Sequence, residues 1–335
     1  MIFDAHGRRL RYLRISVTDR CNLECAYCTP ARGIRLFPPD QMLSYEEIER
    51  VARIAVTLGL NHIRLTGGEP LVRRDFCCLV RRLARIPGLA DLSLTTNGIL
   101  LEGLAPSLQG AGIKRVNINL NTLEEERFRR ITGGGELSQA LAGVRAALKA
   151  GLHPVKINVV LFADESGEPP EADILGFGEM SRNLPAHIRF IEWMPLLEES
   201  ASLTGCGQGK NGLRPLFADW AKGVLCRLGE LHPCPGPAGS GPARYFRYAG
   251  AEGSIGFITP LSAPFCAECS RLRLTSTGRL RLCLLDRKEV DLRAALRSGA
   301  QEEEIAALFL EAAREKPACH PAEAAGVASM RQIGG

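Results

Sequence analysis

Six short β-branched runs, alternating with longer stretches of helical period, fill residues 12–193, and this alternation limits the fold more than any other feature of the chain. The predicted strands are 12–18, 62–66, 91–95, 114–120, 155–162 and 187–193. Helical patterns follow near 75–85, 100–109, 137–150 and 171–183. Ser44 with Glu47 three residues later predicts a capping box, and Ile48, Val51, Ala52 and Ala55 then share one face of the helix it opens. Parallel βα units in this number fit a partial (βα)6 barrel of TIM type better than a doubly wound sheet, a choice that periodicity alone does not decide.

Beyond residue 195 the character changes. Two Gly/Pro/Ser-rich stretches flank a short helical pattern near 213–227, and strand candidates follow at 244–248, 254–259, 271–275 and 279–283. Helical segments are expected near 289–298 and 302–315. The expected division is a barrel with its Gly/Pro-rich flank over 1–240 and a small α+β extension over 241–335.

The chain has 12 cysteines, and its start, MIFDAHGRRL, lacks the apolar core of a secretory signal. A cytoplasmic location is expected, where thiols stay reduced, so clustered cysteines point to metal rather than to disulfides. A net charge of +5, from 42 Lys+Arg against 37 Asp+Glu, is too small and scattered for a nucleic-acid-coating surface. No run is long enough to span a membrane. Neither nucleic acid nor membrane is an expected partner.

Cys21, Cys25 and Cys28 follow the first strand in a Cys-x3-Cys-x2-Cys loop. A [4Fe-4S] cubane held by three thiolates keeps one iron open to a small molecule, whereas structural zinc needs four closed ligands. Cys266, Cys269 and Cys283 form a second set of three, with zinc completed by Cys234 or His232 as the alternative. Arg271 and Arg273, two residues apart on a strand, point their guanidiniums to one face, a geometry suited to phosphate. Arg14, Arg64 and Lys156 also lie in barrel strands, so basic side chains converge on one cavity. Gly67-Gly68-Glu69-Pro70 closes the second strand, with glycines for close backbone approach to a ligand and a carboxylate for a bound amine. Residues 205–212 miss the spacing of a phosphate-binding loop.

The Cys-x3-Cys-x2-Cys loop followed by Gly-Gly-Glu-Pro resembles the radical S-adenosylmethionine (SAM) superfamily. Thr95-Thr96-Asn97-Gly98, the run from Arg189 to Met194, the second cysteine set with Arg271-Leu272-Arg273, and the terminal Gly334-Gly335 extend the likeness to the GTP 3′,8-cyclase family of molybdenum-cofactor biosynthesis. The resemblance implies two [4Fe-4S] clusters and SAM as cofactors, with Tyr27, Gly68, Glu69, Asn119 and Met194 at SAM positions. GTP would meet Arg14, Arg64, Thr95, Lys156, Arg271, Leu272 and Arg273, of which Arg14, Arg271 and Arg273 are the candidate catalytic residues. It further implies hydrogen abstraction from the ribose 3′ carbon, attack of that carbon on the guanine 8 position, a tail reaching toward the first cluster, and a cyclic pyranopterin monophosphate synthase downstream. The reductant stays unassigned and a homodimer is a candidate assembly. The alternative is a peptide-modifying radical SAM enzyme with an auxiliary cluster. Cys77, Cys78, Cys206, Cys226, Cys234 and Cys319 match no cluster position.

Overall fold

The computed structural model describes residues 1–29, 34–163, 170–194, 213–239, 241–320 and 330–333. A short antiparallel hairpin, β1 (Ile2–Phe3) and β2 (Arg9–Leu10), leads into the barrel strands β3 (Tyr12–Ser16), β4 (His62–Thr66), β5 (Asp91–Thr96), β6 (Arg115–Asn119), β7 (Val155–Ala163) and β8 (Ala186–Glu192). Between them run α1 (Tyr45–Thr57), α2 (Phe76–Ala84), α3 (Leu101–Ala111), α4 (Glu125–Thr132), α5 (Leu137–Lys149) and α6 (Glu171–Asn183). All six predicted strands are present within a residue or two. Helix α1 starts as its capping box requires: the Glu47 amide donates to Ser44 Oγ at 3.1 Å and the Ser44 amide to Glu47 Oε2 at 2.7 Å. Its face of Ile48, Val51, Ala52 and Ala55 is buried against the sheet.

The remaining strands are β9 (Arg214–Pro215), β10 (His232–Pro233), β11 (Arg244–Arg247), β12 (Ser254–Ile258), β13 (Arg271–Leu274), β14 (Arg279–Arg281) and β15 (Glu289–Asp291). The helices are α7 (Ala218–Leu225), α8 (Leu292–Arg297), α9 (Glu302–Arg314) and α10 (Met330–Ile333). The helical segment expected from 289 therefore begins as a strand that pairs with β14, and Asp291 caps α8 by accepting from the Ala294 amide.

The C-terminal strands extend the barrel at both edges. β12 lies parallel to β8, and β13 lies parallel to β3. Together with the barrel strands they make an unbroken parallel order β12-β8-β7-β6-β5-β4-β3-β13. The connection from β12 to β13, residues 259–270, carries the chain from one edge of the sheet to the other, and Cys266 and Cys269 ride in it.

Parallel strands buried on both faces usually read as continuous apolar runs. These alternate instead. Leu13, Ile15, Ile63, Leu65, Leu92 and Leu94 join the hydrophobic core, while the residues between them are polar or charged and face inward. Strand register sets those inward residues in rows: Arg273 beside Arg14, Arg14 beside Arg64, Arg64 beside Ser93, and Ser93 beside Arg115. Nearer the mouth, Asn119, Asn158 and Arg189 form another row. The barrel interior is built as a polar cavity.

Candidate active site

That cavity, of about 470 Å³, is lined at one end by Cys21, Cys25 and Cys28 and at the other by Cys266, Cys269 and Cys283. The first three sit in a loop docked on the Gly-Gly-Glu-Pro turn by main-chain bonds: the Gly68 amide donates to the Thr18 carbonyl at 2.7 Å and the Glu69 amide to the Arg20 carbonyl at 2.8 Å. A Cβ on Gly68 would lie 2.3 Å from the Arg20 carbonyl oxygen. The turn thus approaches the cysteine loop itself, a closer constraint than contact with a small ligand.

Burial, and then the neighbouring Cys28 and Cys21, push the Cys25 thiol up to about 12. Crowded thiols that resist ionising together are the expected donor set of a cationic centre, which deprotonates them on binding. Among the described residues no three His, Cys, Asp or Glu side chains draw together closely enough for a single metal ion. A cubane needs another arrangement, one thiolate on each of three irons. The donor chemistry fits clusters at both ends.

Tyr27, Gly68, Asn119 and Met194 line the cavity, Met194 packing on the Leu285–Ile333 cluster that Cys283 also joins. Tyr27 packs its ring against Phe162, 5.9 Å between centroids, and its hydroxyl hydrogen-bonds with Asn121. Glu69 is buried beneath the end with the first cysteines, where it accepts from the Leu71 amide at 3.0 Å, the Thr96 hydroxyl at 2.8 Å and the Asn97 amide at 2.7 Å. Burial outweighs those bonds and raises its carboxyl to about 7.

Between the two cysteine sets stand Arg14, Arg64, Arg189, Arg271 and Arg273, with Thr95 beside them. Burial, followed by Arg273, holds Arg14 well below the usual guanidinium range; burial, followed by Arg271, lowers Arg273 to about 10. Arg64 donates from Nε to Ser93 Oγ at 3.2 Å and stacks on Tyr12, yet its buried Nη2 has no hydrogen-bond partner among the described residues. Like charges packed together out of water are costly unless an anion joins them. The cavity wall fits a polyanion.

Three expected contacts sit differently, the first being Glu69, which is buried and does not itself line the cavity. The Leu272 side chain turns to the other face of β13, into the hydrophobic core. Lys156 lies below the cavity wall, where its Nζ donates to the Ala238 carbonyl at 2.7 Å; burial and the charges of Arg189, Arg115 and Arg64 lower it to about 6. The terminal Gly334-Gly335 and Cys206 lie outside the described residues. Cys77, Cys78, Cys226, Cys234 and Cys319 do not line the cavity.

Residues that the sequence reading did not single out complete the site. Arg189 donates to Asn117 Oδ1 at 2.9 Å and to Asn158 Oδ1 from Nε at 2.9 Å, which aims it at the cavity. Glu192, at the end of β8, accepts from the Ser262 amide at 3.0 Å, the Leu261 amide at 3.3 Å and the Ser262 hydroxyl at 2.5 Å, so it anchors the loop leading to Cys266. Arg331 of α10 donates to the Leu23 carbonyl and to Thr29 Oγ1 at 3.0 Å, bringing the C-terminus onto the first cysteine loop. Only strand alternation could have flagged Arg189; a contact across about 300 residues, such as that of Arg331, leaves no local signal.

The Radical SAM superfamily matches residues 15–174, and the family described as Molybdenum Cofactor Synthesis C matches residues 186–322. The GTP 3′,8-cyclase of Moorella thermoacetica is 48% identical over 99% of both chains. That of Pelotomaculum thermopropionicum is 48% identical over 95% of this chain and 94% of its own. Among solved structures, Streptococcus suis SuiB bound to S-adenosylmethionine shares the fold at TM-score 0.57 and 14% identity; the match covers 84% of this chain and spans 63% of SuiB.

Proposed function

The chain belongs to the GTP 3′,8-cyclase family of radical SAM enzymes, and on that premise we propose how its residues divide the cyclisation of GTP in molybdenum-cofactor synthesis. SAM bound at the first cluster supplies a 5′-deoxyadenosyl radical. Cys21, Cys25 and Cys28 would hold that cluster; Tyr27, Gly68, Asn119 and Met194 would form the wall against SAM, with the buried carboxylate of Glu69 behind it as the counter-charge to its ammonium. Cys266, Cys269 and Cys283 would hold the second cluster, at the end of the cavity proposed for the guanine.

Arg14, Arg64, Arg271 and Arg273 bind the triphosphate and fix the ribose between the two ends, with its 3′ hydrogen toward SAM. Thr95 contributes a hydroxyl held by Asn117 Nδ2 at 3.2 Å. Lys156 joins when phosphate draws its amine from the Ala238 carbonyl and, by its negative charge, favours the protonated form. The Arg189 guanidinium, braced by Asn117 and Asn158, adds a further donor. Enclosure by the 259–270 loop keeps water from the reacting carbon. The product passes to a cyclic pyranopterin monophosphate synthase, in a cytoplasmic setting. Among the described residues no helix is long and apolar enough to cross a membrane.

One observation carries this reading: two cysteine sets line one cavity together with the guanidiniums of Arg14, Arg64, Arg189, Arg271 and Arg273. Anaerobic reconstitution, then incubation with SAM, a strong reductant and GTP, should consume GTP and release 5′-deoxyadenosine in equal amounts. SAM cleavage with GTP unchanged would leave a radical SAM enzyme of another substrate, such as a peptide.

A further inference from the structure

The surroundings of the second cysteine set contain a clamp drawn from both ends of the chain. Arg8, in the turn between β1 and β2, is buried and held by Asp4 through a 2.6 Å Nε–Oδ2 bond. It donates to the Cys266 carbonyl at 2.7 Å, the Pro317 carbonyl at 2.6 Å and the Ala318 carbonyl at 2.8 Å. Lys316, also buried, donates to the carbonyl of Leu282, the neighbour of Cys283. So gripped, the segment after α9 delivers the ring of His320 to the cavity wall, its Nδ1 3.2 Å from Cys266 Sγ.

A cysteine sulfur bound to iron is a thiolate and only accepts hydrogen bonds, so the ring nitrogen facing it must carry the proton. Hydrogen bonds to cluster sulfurs draw off charge and favour the reduced state. We infer that His320 donates a hydrogen bond to the Cys266 sulfur of the second cluster and raises that cluster's reduction potential, with Arg8 and Lys316 holding the segment that presents it. His320 is a positioning residue toward the cluster. The inference rests on the reading that Cys266, Cys269 and Cys283 bind a cluster.

The test is an EPR-monitored redox titration of the fully loaded full-length chain, unsubstituted and as His320→Phe and His320→Gln. The SAM-dependent signal identifies the first cluster. His320→Phe should shift the second cluster's equilibrium about tenfold toward the oxidised form, about 59 mV for one electron, and leave the first cluster unmoved. His320→Gln keeps an N–H donor and should recover most of the shift. In the unsubstituted chain, a proton exchangeable in D2O should couple to the second cluster's spin and be missing in His320→Phe. An unmoved second-cluster potential overturns the inference, as does a strongly coupled nitrogen showing His320 bound to iron. Should His320→Phe fail to hold its second cluster, the absence of that exchangeable proton in the unsubstituted chain overturns it alone. Iron near four per chain, with the Cys266 set empty in the unsubstituted protein, would instead defeat the cluster reading.

Discussion

Single residues in this cavity carry electrostatic tension that their ligands resolve. Among the described residues, the buried Nη2 of Arg64 has no hydrogen-bond partner and stands amid other guanidiniums. Replacing it with Met should weaken GTP binding by roughly 10- to 100-fold, the scale of one charge-assisted hydrogen bond, and should not lower the melting temperature of the substrate-free protein, since one of several repelling charges is gone. Calorimetric titration with GTP and a thermal melt check the two halves. Glu69 makes the opposite case. Its carboxyl is raised to about 7 by burial, so it holds its proton below that pH and loses it above. The SAM ammonium needs the ionised form, so SAM affinity should fall about tenfold from pH 8 to pH 6. Glu69→Gln should flatten that profile. An unchanged slope in the variant would assign the pH dependence elsewhere.

At the scale of elements, the decisive feature is the 259–270 connection, which spans the sheet from β12 to β13 and brings the second cysteine set over the cavity. Glu192 fixes it by accepting three hydrogen bonds from residues 261 and 262. Glu192→Ala should therefore release the loop while the barrel stays folded. Iron per chain after reconstitution should drop from about eight to about four, with the far-ultraviolet circular dichroism unchanged; retention of about eight would show that the loop is held by other contacts. The same connection explains what local patterns concealed. The strand runs at 254–259 and 271–275 were legible by composition, but their pairing with opposite edges of the barrel is a long-range choice. β1 and β2 are too short to register as a pattern, yet Arg8 beside them reaches Cys266. Helix α4, with its strongly charged run, was likewise passed over, although Arg127, Phe128, Ile131 and Thr132 are buried.

For the whole molecule, the two cysteine sets and the inward arginines could be read from spacing and alternation, because each depends on neighbours in sequence. Their meeting in one cavity depends on the register of parallel strands, which placed Arg273, Arg14 and Arg64 in one row. The side chains that orient them, Asn117 and Asn158 for Arg189 and Ser93 for Arg64, became visible only with that register. In the proposed reaction this cavity holds the ribose of GTP with its 3′ hydrogen toward the SAM at the first cluster. Turnover with GTP deuterated at the 3′ carbon, followed by mass analysis of the 5′-deoxyadenosine released, tests it most directly. One deuterium in the 5′-deoxyadenosine is expected for each GTP consumed; unlabelled 5′-deoxyadenosine alongside consumed GTP would rule this geometry out.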